Sequence, residues 1–235
     1  MRAAAGRSTW ETAVPINVEE ASSELALQER IKSLIAQGEF EMGQKISEEL
    51  LARRLSVGKA PIRRAIASLA AIGIIQVKPR IGTFIFSLSE AEFDQLNLVR
   101  ALLECAAIRL AMAGNAPGYT LAMRNNVSSA EALDFKDNYR RAYRQLDREF
   151  HKLSFVFAAN PYLADAYETL DIKIWAMRSL LTFPDSHFQS SLNAHKSVVA
   201  SLEAGDVEGA CERLTEHIRK SFSDRERNLL SRIDS

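Results

Sequence analysis

Apolar residues recur at helical spacing from Ala21 onward, at Leu25, Ile31, Leu34 and Ile35, after which Gly38 and Gly43 bracket a turn. Ile46, Leu50, Leu51 and Leu55 mark a second, short helix with Ser47 as its N-cap, and Ser56-Val57-Gly58 breaks it. A third helix is predicted from Lys59, with Pro61 in its first turn and Ile62, Ile66 and Leu69 as its buried stripe, stopping at Gly73. Two strand-like runs follow, Ile74–Val77 and Thr83–Phe86, joined by the turn-rich tip Lys78-Pro79-Arg80-Ile81-Gly82.

Beyond this point no alternating strand pattern appears. Ser89-Glu90-Ala91-Glu92 reads as a capping box. Helices are predicted over about 89–113, 119–131, 134–158, 161–182, 187–204 and 206–231. The breaks are Gly114–Gly118, Asn160-Pro161, Phe183-Pro184-Asp185 and Gly205-Asp206. Short connections favour antiparallel neighbours. The expected fold class is therefore mainly α: an N-terminal winged helix-turn-helix followed by an all-α antiparallel helical bundle. The expected division is a tail over 1–21, the winged module over 22–87 and the helical domain over 88–235.

Charge changes this picture. Lys plus Arg and Asp plus Glu both number 30, a net charge of zero, which argues against a polybasic tail, an acidic solvating chain or a membrane-surface protein. Resolved along the chain, residues 45–86 hold eight basic residues against Glu48 and Glu49, a net of +6, while residues 88–235 are mildly acidic. Such asymmetry points to one module meeting a polyanion. In a helix-turn-helix the second helix enters the DNA major groove, and its first residues meet base edges. Lys59 and Arg63 share one face, about 100° round from the buried stripe, and Arg64 neighbours it. Arg and Lys suit guanine O6 and N7 or phosphate oxygens, so double-stranded DNA is the expected partner. The start Met1–Ser8 has no apolar signal core, and no run of 18 apolar residues predicts a membrane span. The two cysteines, Cys105 and Cys211, show no paired spacing, so a reducing cytoplasm is expected and no disulfide framework is indicated.

Ile46-Ser47-Glu48-Glu49-Leu50-Leu51-Ala52-Arg53-Arg54-Leu55-Ser56-Val57 resembles the helix-turn segment of the GntR family of bacterial transcription regulators. Lys59-Ala60-Pro61-Ile62-Arg63-Arg64-Ala65-Ile66 is similar to the start of its recognition helix, and Gly73, Pro79, Arg80, Gly82 and Thr83 are similar to its wing. The resemblance, over about 24–86, implies DNA contacts from Lys59, Ala60, Arg63, Arg64, Arg80 and Gly82. Three residues depart from the family pattern: Gly58 for a Ser or Thr cap, Lys59 for Arg, and Arg64 for Glu. Gly at an N-cap costs only a few tenths of a kcal/mol. Lys for Arg removes a bidentate fork, from which a changed operator sequence or a weaker discrimination is expected.

In the helical domain, Asp147 and His151 are four apart and share a helix face. His195 and His217 each lie about ten to twelve residues, roughly 16 Å, from the Gly205-Asp206 turn, so an antiparallel hairpin brings them level. Spacing alone leaves two readings open, a site for a borderline divalent cation or separately explained polar residues. Arg100 with Glu104, Asp147–His151, Asn160–Leu163, His195, Gly205-Asp206 and His217-Ile218 together resemble the effector domain of the FadR-type branch, called FCD. That resemblance, over about 90–230, implies a metal held by Asp147, His151, His195 and His217. Zinc, nickel, manganese or iron all suit that donor set. It further implies Arg100 facing a small organic-acid effector, and a homodimer. Arg178 is a second candidate for an anion contact, the alternative being a surface position; His187 matches nothing in the pattern and is expected at the surface. The rival functions are a regulator whose metal is purely structural and a metal-dependent hydrolase. Glu149 points away from the Asp147/His151 face, and neither HExxH nor G-x-S-x-G occurs, so no enzyme is expected.

Overall fold

The computed structural model describes residues 18–36, 38–133, 139–180 and 185–220. Helix α1 (Val18–Ala36) precedes a two-residue strand β1 (Lys45–Ile46), helices α2 (Glu48–Leu55) and α3 (Lys59–Ala71), and the hairpin β2 (Ile75–Lys78) and β3 (Gly82–Ile85). Ser47 caps α2 by accepting the Leu50 backbone N–H at 3.1 Å, and Ser56, in the left-handed region at φ 56°, ends it. Gly58 opens α3 with no side-chain cap. The sheet is antiparallel in the order β1-β3-β2, with Ile75 opposite Ile85 and Lys45 opposite Phe84. Ile31, Leu51, Ile62, Leu69, Ile74 and Phe86 are almost wholly buried and fill the space between helices and wing.

Two details differ from the sequence reading. Helix α1 begins at Val18 rather than near Ala21, because a helix already anchored at Leu27 and Ile31 extends backwards through residues with no apolar period to reveal it. Strand β1 was too short for a period-2 pattern to register. Residues 1–17, most of the expected tail, lie outside the described residues.

The second module comprises α4 (Glu90–Glu131), α5 (Tyr139–Ala158), α6 (Pro161–Leu180), α7 (Asp185–Glu203) and α8 (Val207–Lys220). The capping box at its start is present: Ser89 Oγ accepts the Glu92 N–H, and Glu92 Oε2 accepts the Ser89 N–H at 2.8 Å. The expected break at Gly114–Gly118 is a kink inside α4. Asn115 leaves helical geometry (φ −153°, ψ 69°), its carboxamide oxygen accepts the Gly118 N–H, and Pro117 occupies the restarted first turn, where its missing N–H costs nothing. Any side chain at Gly118 would collide with the Asn115 carboxamide. Parts of three predicted helices, residues 134–138, 181–182 and 221–231, fall outside the described residues.

The two modules share one apolar core. Helix α6 packs on α1, Lys32 of α1 pairs with Glu168 of α6 at 3.4 Å, and Lys173 of α6 lies over the Phe86 ring. No helix among the described residues is long and apolar enough to cross a membrane.

Candidate metal centre and DNA-reading face

Helix α5 turns Tyr143, Asp147, Phe150, His151 and Ser154 inward, a helical stripe in which Asp147, His151 and Ser154 are polar. Helices α7 and α8, joined through Gly205 at φ 73°, add His195 and His217. Asp206 starts α8 by accepting the Gly209 N–H at 2.9 Å. All four side chains are buried, and one ligand atom from each lies within 4.8 Å of the others. The Nε2 atoms of His195 and His217 are 3.2 Å apart. His195 is stacked flat on Phe150, centroids 3.8 Å apart, which fixes its ring.

Behind His151 stands Glu104. Its carboxylate, wholly buried, accepts from His151 Nδ1 at 2.6 Å, Arg100 Nε at 2.6 Å and the Tyr167 hydroxyl at 3.1 Å. Burial resists its charge, yet Arg100 and His151 outweigh it and hold the carboxyl at about 2. With its proton on Nδ1, His151 turns the Nε2 lone pair to the centre, and Nε2 has no hydrogen-bond partner among the described residues. Burial first, and then the neighbouring imidazoles, hold His195 and His217 well below the ordinary histidine value, so both are neutral donors. One carboxylate and three neutral imidazoles converging at this range suit a borderline divalent cation.

Arg178 is not on the surface. It is buried, donates to Asp147, and leaves Nε and Nη2 without partners among the described residues; Arg100 leaves Nη1 likewise. Ser191 donates to the other Asp147 oxygen at 3.1 Å. Asn97, one helical turn before Arg100, is also buried, and neither of its amide atoms has a partner among the described residues. The sequence reading missed Asn97, Tyr167 and Ser191; Asn97 and Ser191 carried a signal, three residues before Arg100 and four before His195 on the same helix face, and Tyr167 carried none. A cleft of about 270 Å³ opens between α7 and α8, lined by His187, Ser191, Arg213, His217 and Lys220 among others. His187 therefore lines the approach to His217 and is half-buried, where the sequence reading expected an uninvolved surface position.

The DNA-reading candidates lie elsewhere. Helix α3 buries Ile62, Ala65, Ile66 and Leu69 and exposes Lys59, Ala60, Arg63 and Arg64. Arg63 forks onto Glu48 with two bonds of 2.8 Å, and Lys59 pairs with Glu49, both on α2. Arg64 turns the other way, to Glu24 of α1 at 3.1 Å, so it does not share the Lys59/Arg63 grouping. Arg80 (φ 63°) and Gly82 (φ 143°) shape the wing tip; a Cβ on Gly82 would come within 2.6 Å of Lys45 Cε. Lys45 and Lys78 both lie over the Phe84 ring, adding cations to the wing.

Residues 24–85 match the family described as bacterial regulatory proteins, gntR family, and residues 95–220 match the FCD domain. The chain belongs to the GntR family, in its FCD-bearing branch. Over 78% of its length it is 28% identical to the probable D-xylose utilization operon transcriptional repressor of Paenarthrobacter nicotinovorans, spanning 80% of that protein. Over 80% of its length it is 26% identical to the transcriptional repressor GlaR of Escherichia coli K12, spanning 89% of it. Its fold is similar to that of McbR/YncC of E. coli (TM-score 0.72, 19% identity, 90% of this chain and 98% of that one). This GntR regulator is a DNA-binding transcriptional regulator, and the relatives it matches are regulators, not enzymes. Between the two matched spans lie Phe86, on which α6 rests, and the Ser89 capping box.

Proposed function

We propose that this protein is a homodimeric repressor whose operator affinity is set by a small organic acid bound beside a divalent cation in the helical domain. The observation that carries the reading is the set of buried, unpartnered polar atoms around the four candidate ligands: Arg100 Nη1, Arg178 Nε and Nη2, and His151 Nε2. Native chains rarely bury donors unpaired, and an unsatisfied one costs about 1–3 kcal/mol, so a ligand that accepts from both guanidiniums belongs in this space. With neutral imidazoles, Asp147 and Glu104 balance Arg100 and Arg178. A cation held by Asp147, His151, His195 and His217 supplies the excess positive charge, and a buried excess favours an anionic partner. Arg213 and Lys220 line the cleft with Glu216, which pairs with Lys220, and leave its lining with a net positive charge that favours an anion.

Operator DNA is read by Lys59, Ala60 and Arg63 at the start of α3, with Arg64, Arg80 and Gly82 contacting the flanking backbone. The relative named as a probable repressor of a D-xylose utilization operon, with others named as transcriptional repressors, favours repression of a catabolic operon, in the cytoplasm. A second copy supplies the two-fold symmetric partner. Leu98, Val99, Leu102 and Leu110 offer it an apolar surface, exposed within an arc of about 120° on α4. Signal transfer runs through α6, which holds Asp147 through Arg178 and Glu104 through Tyr167, and holds the winged module through Glu168 and Lys173. An acid that draws Arg178 off Asp147 biases α6 against α1; it regulates only if it binds the two arrangements unequally.

Calorimetry with a panel of small carboxylates on zinc-loaded protein, alongside gel-shift on the neighbouring intergenic DNA, tests the reading. Binding that is lost in Arg100→Ala and that changes operator affinity supports it. Sequence-specific DNA binding unaffected by any acid leaves only a structural metal, and no specific DNA binding refutes the whole.

A further inference from the structure

Cys105 and Cys211 are 106 residues apart in sequence and directly opposed in space. Helices α4 and α8 run antiparallel here. Each sulfur reaches the backbone carbonyl of the other cysteine, Cys105 Sγ to Cys211 O at 3.6 Å and Cys211 Sγ to Cys105 O at 3.8 Å. This reciprocal contact sets the two residues facing each other across the α4–α8 interface, both buried. A disulfide needs that arrangement, with Cα atoms about 4.4–6.8 Å apart and the Cβ vectors converging. The thiols are buried yet shallow. The exposed ion pair Arg109–Glu208 lies over them, Arg109 one turn beyond Cys105 and Glu208 one turn before Cys211. Thr215 Oγ1 is 3.6 Å from Cys105 Sγ. Nothing in the metal-centre reading uses either cysteine.

We infer that Cys105 and Cys211 form a peroxide-reactive dithiol that closes to a disulfide joining α4 to α8. The Cys105 thiolate, which faces Cys211 and is favoured against its burial by the Thr215 hydroxyl at 3.6 Å and by the Arg109 charge, attacks a hydroperoxide. The O–O bond breaks, one oxygen stays on sulfur as sulfenic acid, and the other leaves as hydroxide and takes a proton to become water. The Cys211 sulfur then attacks the sulfenic sulfur; the S–S bond forms, the S–O bond breaks, and the hydroxyl leaves with the Cys211 proton as a second water. Two thiols lose two electrons together, and one hydrogen peroxide becomes two waters. The cross-link ties Glu104, next to Cys105, to the helix that carries His217.

The test uses the full chain, reduced, freed of reductant and treated with hydrogen peroxide under native conditions. Thiols are then counted after denaturation, and peptides are mapped by mass spectrometry. The expected result is loss of both thiols in parallel, a peptide pair linked through 105 and 211, and full recovery with a thiol reductant. Cys211→Ser is expected to stop at the sulfenic acid on Cys105, trapped by a dimedone probe, and Cys105→Ser to form no internal link. Circular dichroism of both variants confirms that the helices persist. Native protein that keeps both thiols at peroxide levels sufficient for exposed cysteines, or that yields only links between chains or irreversible sulfonic acids, overturns the inference. None of these readouts depends on the metal or on DNA.

Discussion

Glu104→Gln isolates the role of the buried carboxylate, because it removes one charge and almost no volume. Glu104 accepts from three donors in a wholly buried setting, and its carboxyl is held at about 2 against an ordinary 4.5. A shift of that size corresponds to roughly 3 kcal/mol of favourable interaction with the charged form. Removing one partner of a buried ion pair costs about 3–5 kcal/mol, because the other charge is stranded. Here Arg100, about 1% exposed, is the stranded group. The lower end is expected, since the Gln oxygen still accepts from Arg100. For a chain of this length, at about 2–4 °C per kcal/mol, thermal unfolding followed by circular dichroism falls by roughly 6–12 °C.

A second consequence distinguishes this from simple destabilisation. If the Gln amide N–H faces His151, Nδ1 must accept instead of donate, and the ring proton moves to Nε2, the atom facing the centre. Zinc affinity, measured by competition with a chromogenic chelator, should then fall about 10–100-fold. Tyr167→Phe removes only a neutral donor and should cost about 1 kcal/mol with little change in zinc affinity. The double variant Arg100→Leu with Glu104→Leu removes both charges and should recover stability relative to Glu104→Gln while still binding zinc weakly. Glu104→Gln protein that melts with wild type and holds zinc as tightly refutes the argument.

Arg63→Ala should weaken operator binding and reduce the slope of log affinity against log salt by about one if it contacts a phosphate, or relax specificity at one position by about 1–3 kcal/mol if it reads a base. Glu48→Ala, which frees Arg63 from its present fork, should leave operator binding equal or tighter in the same assay. Ser89→Ala removes the capping hydroxyl of α4 and should cost about 1 kcal/mol in a urea titration. Because the Ser89 N–H and hydroxyl hold the Glu92 carboxyl below its ordinary 4.5, the Glu92 contribution is present above that value and disappears as pH falls through the depressed one. Glu92→Gln should therefore show a shallower acid loss of stability than wild type. Reversing both charges, Lys32→Glu with Glu168→Lys, should restore the effector response of the operator complex that either single reversal impairs; equal responses in all three would remove this pair from the coupling.

The fold was readable where local physics decided it. The Ser47 and Ser89 caps, the stop at Gly73 and the turn at Gly205 are chosen by backbone geometry that a few neighbouring residues dictate, and they stand in the structure where the spacing put them. The Gly114–Gly118 break shows the limit. Glycine and proline announce an interruption, but only the Asn115 carboxamide capping the next turn turns that interruption into a kink within one helix. The levelling of His195 with His217 was also a local matter, fixed by counting turns from a tight connection.

What the spacing did not contain is which partner each charged side chain takes. Arg178 gave no sign of burial, because its partner Asp147 is 31 residues away on another helix. Tyr167, Asp171 and Arg178 all belong to α6, and each takes its partner from α4 or α5: Glu104, Arg148 and Asp147. The same helix reaches the winged module through Glu168 and Lys173. Its sequence has no sharp apolar stripe, since it is asked to face three surfaces at once, and a periodicity reading discounts such a helix. A helix that packs on α1, α4 and α5 cannot change its hold on the buried carboxylates without altering its hold on α1. Under the proposed function, that constraint, invisible in the residue pattern, would make α6 the physical link between an occupied pocket and the placement of the winged module.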